Sequence, residues 1–179
     1  ISIEAQVAQV IESSSRSSSG SILAFLPGQA EIGRCYRILE TKTLGEGADI
    51  FKLHGQLEGK AQDQAIAPAR AGRRKIVLST AIAQTSLTIE GVSIVVDAGL
   101  SRHARYEPKT GLSRLITEKS SQATSEQRRG RAGRTGPGIC YRLWDEEQNK
   151  ALKPHDQPEI LNADLTAFAL ILADWGAVD

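Results

Sequence analysis

A chain of 179 residues, 40% hydrophobic with a net charge of +1, is long enough to bury a core without disulfides or a structural metal. Its 4% aromatic content leaves that core to Ile, Leu, Val and Ala, and no apolar run approaches the roughly 18 residues of a membrane span. Cys35 and Cys140 stand far apart and His54, His103 and His155 are scattered, which argues against a disulfide framework and a metal site. Two buried, reduced thiols and a cytoplasmic setting are expected instead. Beginning Ile1-Ser2-Ile3-Glu4 and lacking Met, the chain reads as a fragment of a longer protein or as one from which residues are missing.

In chain order, Ser2 followed by Ile3, Val7, Val10 and Ile11 predicts a capped amphipathic helix. The serine-rich stretch Ser13–Ser19 predicts a flexible linker that closes an N-terminal segment at residues 1–19. Ser21–Leu26 is a continuous apolar run of the kind found in buried parallel strands, ended by Pro27-Gly28. Gln29–Leu39 has helical spacing, Ala48–His54 is a second strand, and Ala61–Ala67 is a helix stopped by Pro68. Lys75–Ser79 and Val92–Asp97 are further strands, Gln122–Ala132 a helix and Gly138–Leu143 a last strand. The alternation predicts an α/β fold over residues 20–150, with a mostly parallel sheet flanked by helices.

One stretch departs from the alternation. Ala104–Glu107 and Leu112–Thr117 flank Pro108-Lys109-Thr110-Gly111, which predicts an antiparallel hairpin inserted at about 103–118. After an acidic, Pro-containing connection, Pro158-Glu159-Ile160-Leu161 leads to a helical stripe through Leu165, Phe168, Ala169, Leu172 and Trp175. Residues 151–179 are therefore expected to begin another domain.

The near-neutral total hides an asymmetry. Leu100–Arg142 holds ten Lys/Arg against Glu107, Glu118 and Glu126, a surplus of +7, whereas Asp145–Asp179 carries −6. A basic block in a neutral chain points to a polyanion partner. Within it lies Gln127-Arg128-Arg129-Gly130-Arg131-Ala132-Gly133-Arg134. On the predicted helix Arg131 and Arg134, three apart, project the same way and can converge on a phosphate. Gly130 and Gly133 each weaken a helix by roughly 1 kcal/mol, which is tolerated where backbone must come close to something.

This segment resembles motif VI of superfamily 2 helicases in its DEAH/RHA form. Ser79–Ile89 resembles motif V, Phe25-Leu26-Pro27-Gly28-Gln29 motif IV, and Leu53-His54-Gly55 the element that follows it, all in the family's order and spacing. Arg105–Ile116 and Pro158-Glu159-Ile160-Leu161 are similar to the bacterial HrpB-type branch. The resemblance covers about residues 20 to 176. It implies the second RecA-like lobe of an ATP-dependent helicase, followed by the start of a helical, winged-helix-like domain.

By that resemblance, Gln127, Arg131 and Arg134 would reach the phosphates of ATP, bound with Mg2+ mainly by the first lobe of the same polypeptide. Thr88 and Glu90 would meet the ribose, Ser86 would sense nucleotide state, and Ile66 would stand where the family places its adenine-stacking aromatic. Pro27, Gly28, Gln29 and Thr80 would hold the backbone of a single-stranded nucleic acid, with RNA favoured although such contacts do not themselves discriminate it from DNA, and Lys109 would sit on the strand-separating hairpin. Two departures matter. An aliphatic Ile66 implies weak nucleotide discrimination, and Ala81 and Gln84, where the family has Asn and Glu, imply weakened polar links from motif V to its neighbours.

The 179 residues contain neither G-x-x-x-x-G-K-[ST] nor D-E-A-H. The isolated chain is therefore expected to hold no nucleotide tightly and hydrolyse none. A non-enzymatic nucleic-acid-binding module of the same fold is the alternative; damaged phosphate-contacting arginines would mark it, and both are present. A dinucleotide-binding enzyme is excluded because no G-x-G-x-x-G follows a strand.

Overall fold

The computed structural model describes residues 1–45, 47–85, 87–134 and 136–177. Helix α1 (Ile3–Ser17) starts at Ser2, whose hydroxyl accepts from the Ala5 N–H. It does not stop where the serines begin. Ser13, Ser14, Ser15 and Ser17 turn their hydroxyls onto carbonyls three or four residues earlier, so side chains that could compete with the helix instead bond within it. Ser14 and Ser15 are buried, and Arg74 donates to the carbonyls of Ser15 and Ser18 at the helix end. The expected linker at 13–19 is thus mostly helix, because tertiary contacts outweigh serine's modest propensity.

There follow β1 (Ser21–Phe25), α2 (Gln29–Glu40), β2 (Ala48–Leu53), α3 (Gly59–Ile66), β3 (Arg74–Ser79), α4 (Ile82–Thr85) and β4 (Val92–Asp97). Next come β5 (Leu100–Glu107), β6 (Leu112–Lys119), α5 (Gln122–Arg129), β7 (Ile139–Arg142), α6 (Glu146–Lys150), a 3-10 turn (Glu159–Leu161) and α7 (Thr166–Asp174). Five strands form one parallel sheet in the order β2-β3-β1-β4-β7, and β5 and β6 pair only with each other, antiparallel. The mostly parallel α/β sheet and its inserted hairpin are therefore present. The hairpin runs from Leu100 to Lys119, longer than expected.

The continuous apolar runs divide by period two between the faces of the sheet. Ile22, Ala24, Ile76, Leu78, Ile94 and Val96 join Val7, Ile11, Ile32, Cys35 and Leu39 of α1 and α2 in one core. Leu23, Phe25, Val77 and Val95 join Leu53, Ala65 and Ala83 in a second core on the other face. Lys75 is buried in the strand, with Nζ donating to the carbonyls of Gln64, Ala65 and Ala67. It closes the C-terminus of α3, where a cation also suits the helix dipole.

Parallel strands share one direction, so their C-terminal ends meet at one edge. Pro27-Gly28, His54-Gly55, Thr80 and Asp97-Ala98-Gly99 all leave the sheet there, the edge at which open α/β sheets bind ligands. The hairpin rises from the same edge, its base closed by the Ser120 N–H on the Gly99 carbonyl at 2.9 Å. The chain then runs back through α5 until the Gly133 N–H reaches the Val92 carbonyl at the start of β4.

The segment after α6, expected to be an interdomain connection from residue 151, instead packs on the lobe. The carbonyls of Lys153 and Pro154 accept the N–H groups of Gln122 and Ala123 at the start of α5. Leu152 is buried, and Thr124 donates to Asp156. These contacts satisfy N–H groups that a helix start otherwise leaves open. Beyond them, α7 leaves Leu165, Phe168, Leu170, Ile171 and Trp175 exposed. No helix among the described residues is long and apolar enough to cross a membrane.

An ion-pair chain fixes the hairpin base to the helices. Both terminal nitrogens of Arg102 meet the Glu31 carboxylate, at 3.0 and 3.1 Å, while Arg34 bridges Glu31 and Glu4. Burial raises the Glu31 pKa, but the hydrogen bond from Arg102 and its neighbours' charge hold it below the ordinary 4.5. A carboxylate whose pKa is depressed on folding contributes stability above its unfolded value, lost as pH falls through the folded one. Glu31→Gln should therefore be less stable at pH 7 and lose less of its stability on acidification below 4.5, in urea titrations across pH. An acid slope identical to the parent's would contradict this.

Candidate nucleotide and nucleic-acid interface

The strand ends enclose a groove of about 460 Å3 whose walls include Pro27, Gly28, Gln29, His54, Thr80, Arg102 and Leu115. Gly28 lies under the Arg102–Glu31 pair: a Cβ there would lie 2.2 Å from Nη1 of Arg102 and 2.9 Å from Oε2 of Glu31, so both side-chain ends would have to shift. No side chain caps α2 at Gly28, and a helix start with open N–H groups favours anions. Pro27 is buried, Gln29 exposed and Thr80 half-buried. The four residues expected along a nucleic-acid backbone thus line one groove.

Lys109 does not join them. It is exposed in the turn at the far end of the hairpin, and Arg102 and Leu115 are among the hairpin residues that line the groove. The sequence reading missed Arg102, which lies in the basic block without a motif to mark it. It also gave His54 no role of its own. His54 is 8% exposed, its Nδ1 without a partner among the described residues, and burial, reinforced by Lys52, lowers its pKa. It is neutral at physiological pH.

The arginine segment differs from its expectation. Helix α5 ends at Arg129, with Gly130 as its C-cap, so Arg131 and Arg134 do not share a helical face. Gly133 takes φ of 74°, and a Cβ on it would sit 2.6 Å from the Gly136 carbonyl oxygen and the Gly138 nitrogen. The close approach that this glycine allows is between two stretches of its own backbone. Gly130 has ordinary helical φ of −62° and no contact below 3.4 Å.

Arg131 folds back on motif V. Its Nε donates to the Gln84 carbonyl and its Nη1 to that of Leu87, both at 2.9 Å, with Nη2 also on Gln84. Three of its five N–H donors meet carbonyls at and just beyond the end of α4, and two have no partner among the described residues. Arg134 is exposed and forms no ion pair among the described residues. Gln127 is exposed and accepts from Nε2 of Gln84 at 3.0 Å.

Gln84 does not weaken the links of motif V. Its amide also accepts from Nε of Arg128 at 3.1 Å and approaches Thr124 Oγ1 at 3.4 Å. An amide supplies donor and acceptor where a carboxylate would only accept. Ala81 is exposed. Thr88 and Glu90 are exposed on the loop into β4, Ile66 is half-buried at the end of α3, and Ser86 lies outside the described residues.

Arg128, counted in the sequence only as part of a charged block, is 1% exposed. Its Nη1 meets Asp97 Oδ1 at 2.8 Å, Nη1 and Nη2 share the Leu100 carbonyl at 3.2 Å, and Nη2 reaches Ser101 Oγ at 3.0 Å. Pairing also consumes much of the rest of the basic block, since Arg102, Arg105, Arg114, Arg129 and Arg142 each meet a glutamate. Lys109, Lys119, Arg131 and Arg134 have no ion pair among the described residues.

Neither cysteine is in a disulfide. Burial pushes Cys35 up to about 12 and Cys140 up to about 11, and Cys140, on the edge strand β7, is half-buried rather than buried. No group of His, Cys, Asp and Glu among the described residues could hold a metal.

A parallel five-stranded lobe with its loops gathered at the strand ends and a hairpin after β4 is the architecture of a RecA-like motor lobe. The family model described as the helicase conserved C-terminal domain matches residues 4–136, and the chain belongs to this family. It is 47% identical over 164 residues to ATP-dependent RNA helicase HrpB of Escherichia coli (strain K12), an alignment that covers 92% of the chain and 20% of that protein. It is 42% identical over 167 residues to pre-mRNA-splicing factor ATP-dependent RNA helicase prp22 of Schizosaccharomyces pombe, covering 89% of the chain and 14% of that protein. The crystal structure of the Escherichia coli DEAH/RHA helicase HrpB superposes with a TM-score of 0.94 at 44% identity, over 100% of this chain and 23% of its own. The chain thus spans about a fifth of the length of HrpB.

The two glycines of the arginine segment give a contrast. Gly133→Ala should destabilise the fold by about 2 kcal/mol or more, from its positive φ and the rigid backbone its Cβ would meet. Gly130→Ala should be neutral or stabilising by up to about 1 kcal/mol. Denaturant unfolding of the two variants measures both, and equal effects would contradict the assigned backbone.

Proposed function

We propose that this chain is the second motor lobe of an ATP-dependent RNA helicase of the DEAH type. In this reading it presents arginines to ATP held with Mg2+ on a first lobe of the same polypeptide, and it grips one nucleic-acid strand in the groove at its strand ends. The observation that carries the reading is the pairing pattern. In a block where most arginines meet a glutamate, Arg134 is the phosphate-facing arginine that is exposed and without an ion pair among the described residues.

The donor sets suit these ligands. Arg134 offers a whole guanidinium fork and Arg131 two remaining N–H groups, and planar forks match phosphoryl oxygens. Held by the Gln84 and Leu87 carbonyls, Arg131 needs little reorganisation when charge builds on a transferring phosphoryl group. ATP supplies the phosphoryl group; this lobe supplies positive charge, and Gln127, fixed by Gln84, orients polar groups beside it. Thr88, Glu90 and Ser86 are assigned to the nucleotide edge with Ile66 as the apolar contact to the base. Mg2+ is assigned to the first lobe.

In the groove, the open start of α2, Gln29 and Thr80 present donors that hold phosphates without reading sequence. RNA is preferred over DNA as the substrate because relatives that share more than 40% identity are named RNA helicases. The hairpin, with Lys109 at its tip, is assigned to strand separation. The unpaired cysteines favour a reducing, cytoplasmic setting.

In the full-length protein, Arg134→Ala should cut RNA-stimulated ATP hydrolysis by about 10³ or more, the scale of an arginine finger, while RNA binding largely survives. A fall in binding with turnover intact would overturn the assignment.

A further inference from the structure

Arg128 uses every donor it has. Its Nε meets the Gln84 side chain, Nη1 meets Asp97 and the Leu100 carbonyl, and Nη2 meets the Leu100 carbonyl and Ser101 Oγ. The guanidinium lies 5.1 Å from the centroid of the Phe25 ring. These partners belong to different elements: Gln84 to motif V, Asp97 to the end of β4, Leu100 and Ser101 to the first strand of the hairpin. Gln84 in turn holds Gln127 through its amide and Arg131 through its carbonyl. Two residues therefore separate the phosphate-facing side chains from the base of the hairpin.

A need for stability alone accounts poorly for this arrangement. Asp97 is fully buried, yet its Oδ2 has no hydrogen-bond partner among the described residues. A buried ion pair is often replaceable by apolar residues of similar volume without loss of stability, and the best-attested use of such pairs is to fix register. Here the register fixed is that of the hairpin against motifs V and VI.

Resting on the helicase reading above, we infer that Arg128, anchored by Asp97, is a positioning residue that couples events at the phosphate-facing arginines to the orientation of the hairpin. With every donor of Arg128 already spent on the fold, this role is exerted through its neighbours. Its removal should uncouple turnover from strand separation rather than abolish turnover.

The test uses the full-length protein and measures RNA-stimulated ATP hydrolysis together with base pairs opened per ATP. Ser101→Ala, which removes one hairpin acceptor, should lower the base pairs opened per ATP about threefold or more while turnover stays close to the parent's. Arg128→Gln should lower that ratio further, and the two effects should be less than additive in the double substitution, since they share the Arg128–Ser101 contact. Lys75→Met, which removes a buried cation remote from the hairpin, should reduce thermal stability and leave the ratio unchanged. Parallel loss of both activities in Ser101→Ala, or strictly additive effects in the double variant, would overturn the inference. If Arg128→Gln does not fold, the ratio in Ser101→Ala decides. A parent protein with no RNA-stimulated hydrolysis would refute the helicase reading itself, a separate outcome from a parent that unwinds while its variants keep their ratio.

Discussion

A guanidinium withdrawn from water must find an acceptor for each of its donors, and Arg128 dictates where five parts of this lobe can lie. The ends of β1 and β4, the first residues of the hairpin, the motif V turn and α5 are all placed by contact with that one side chain. The parallel sheet brings the strand ends to one edge, and Arg128 ties the elements that leave that edge to one another. The groove at the strand ends and the segment that carries Arg131 and Arg134 are built around it.

Basic side chains serve the fold in a second way. Arg74 closes the end of α1, Lys75 that of α3 and Arg131 that of α4, each by donating to carbonyls a helix leaves open. Glutamates neutralise most of the remainder. Of the acids that meet the central block's arginines, only Glu31, with Asp97 on Arg128, comes from outside the block; the other glutamates are already counted in its +7 surplus. The block's cations without an ion pair among the described residues are Lys109, Lys119, Arg131 and Arg134.

The sheet was legible in the sequence because each strand is apolar on consecutive residues, and the hairpin because a Pro-Lys-Thr-Gly turn separates two short β-prone runs. The serines of α1 misled because propensity describes an isolated segment, whereas Ser14 and Ser15 are buried against the lobe. The end of α5 was misplaced for a related reason: the glycine pattern was read as a helix approached by a ligand, while Gly133 serves a backbone turn. Arg128 was invisible because an arginine in a run of arginines shows nothing of its burial. Only the isolated Asp97 at the end of an apolar strand hinted at a buried partner. The groove was found through Pro27, Gly28, Gln29 and Thr80, but Arg102 and His54 reach it by topology that no local pattern encodes.

The central claim is that this lobe contributes arginines and a nucleic-acid track to a site completed elsewhere. It is tested most directly by comparing RNA-stimulated ATP hydrolysis by the isolated chain with that of the same chain joined to the P-loop-bearing lobe of its own protein. The account predicts no hydrolysis from the isolated chain and stimulated turnover from the joined protein. Stimulated hydrolysis by the isolated, highly purified chain, or an inert joined protein, would contradict it.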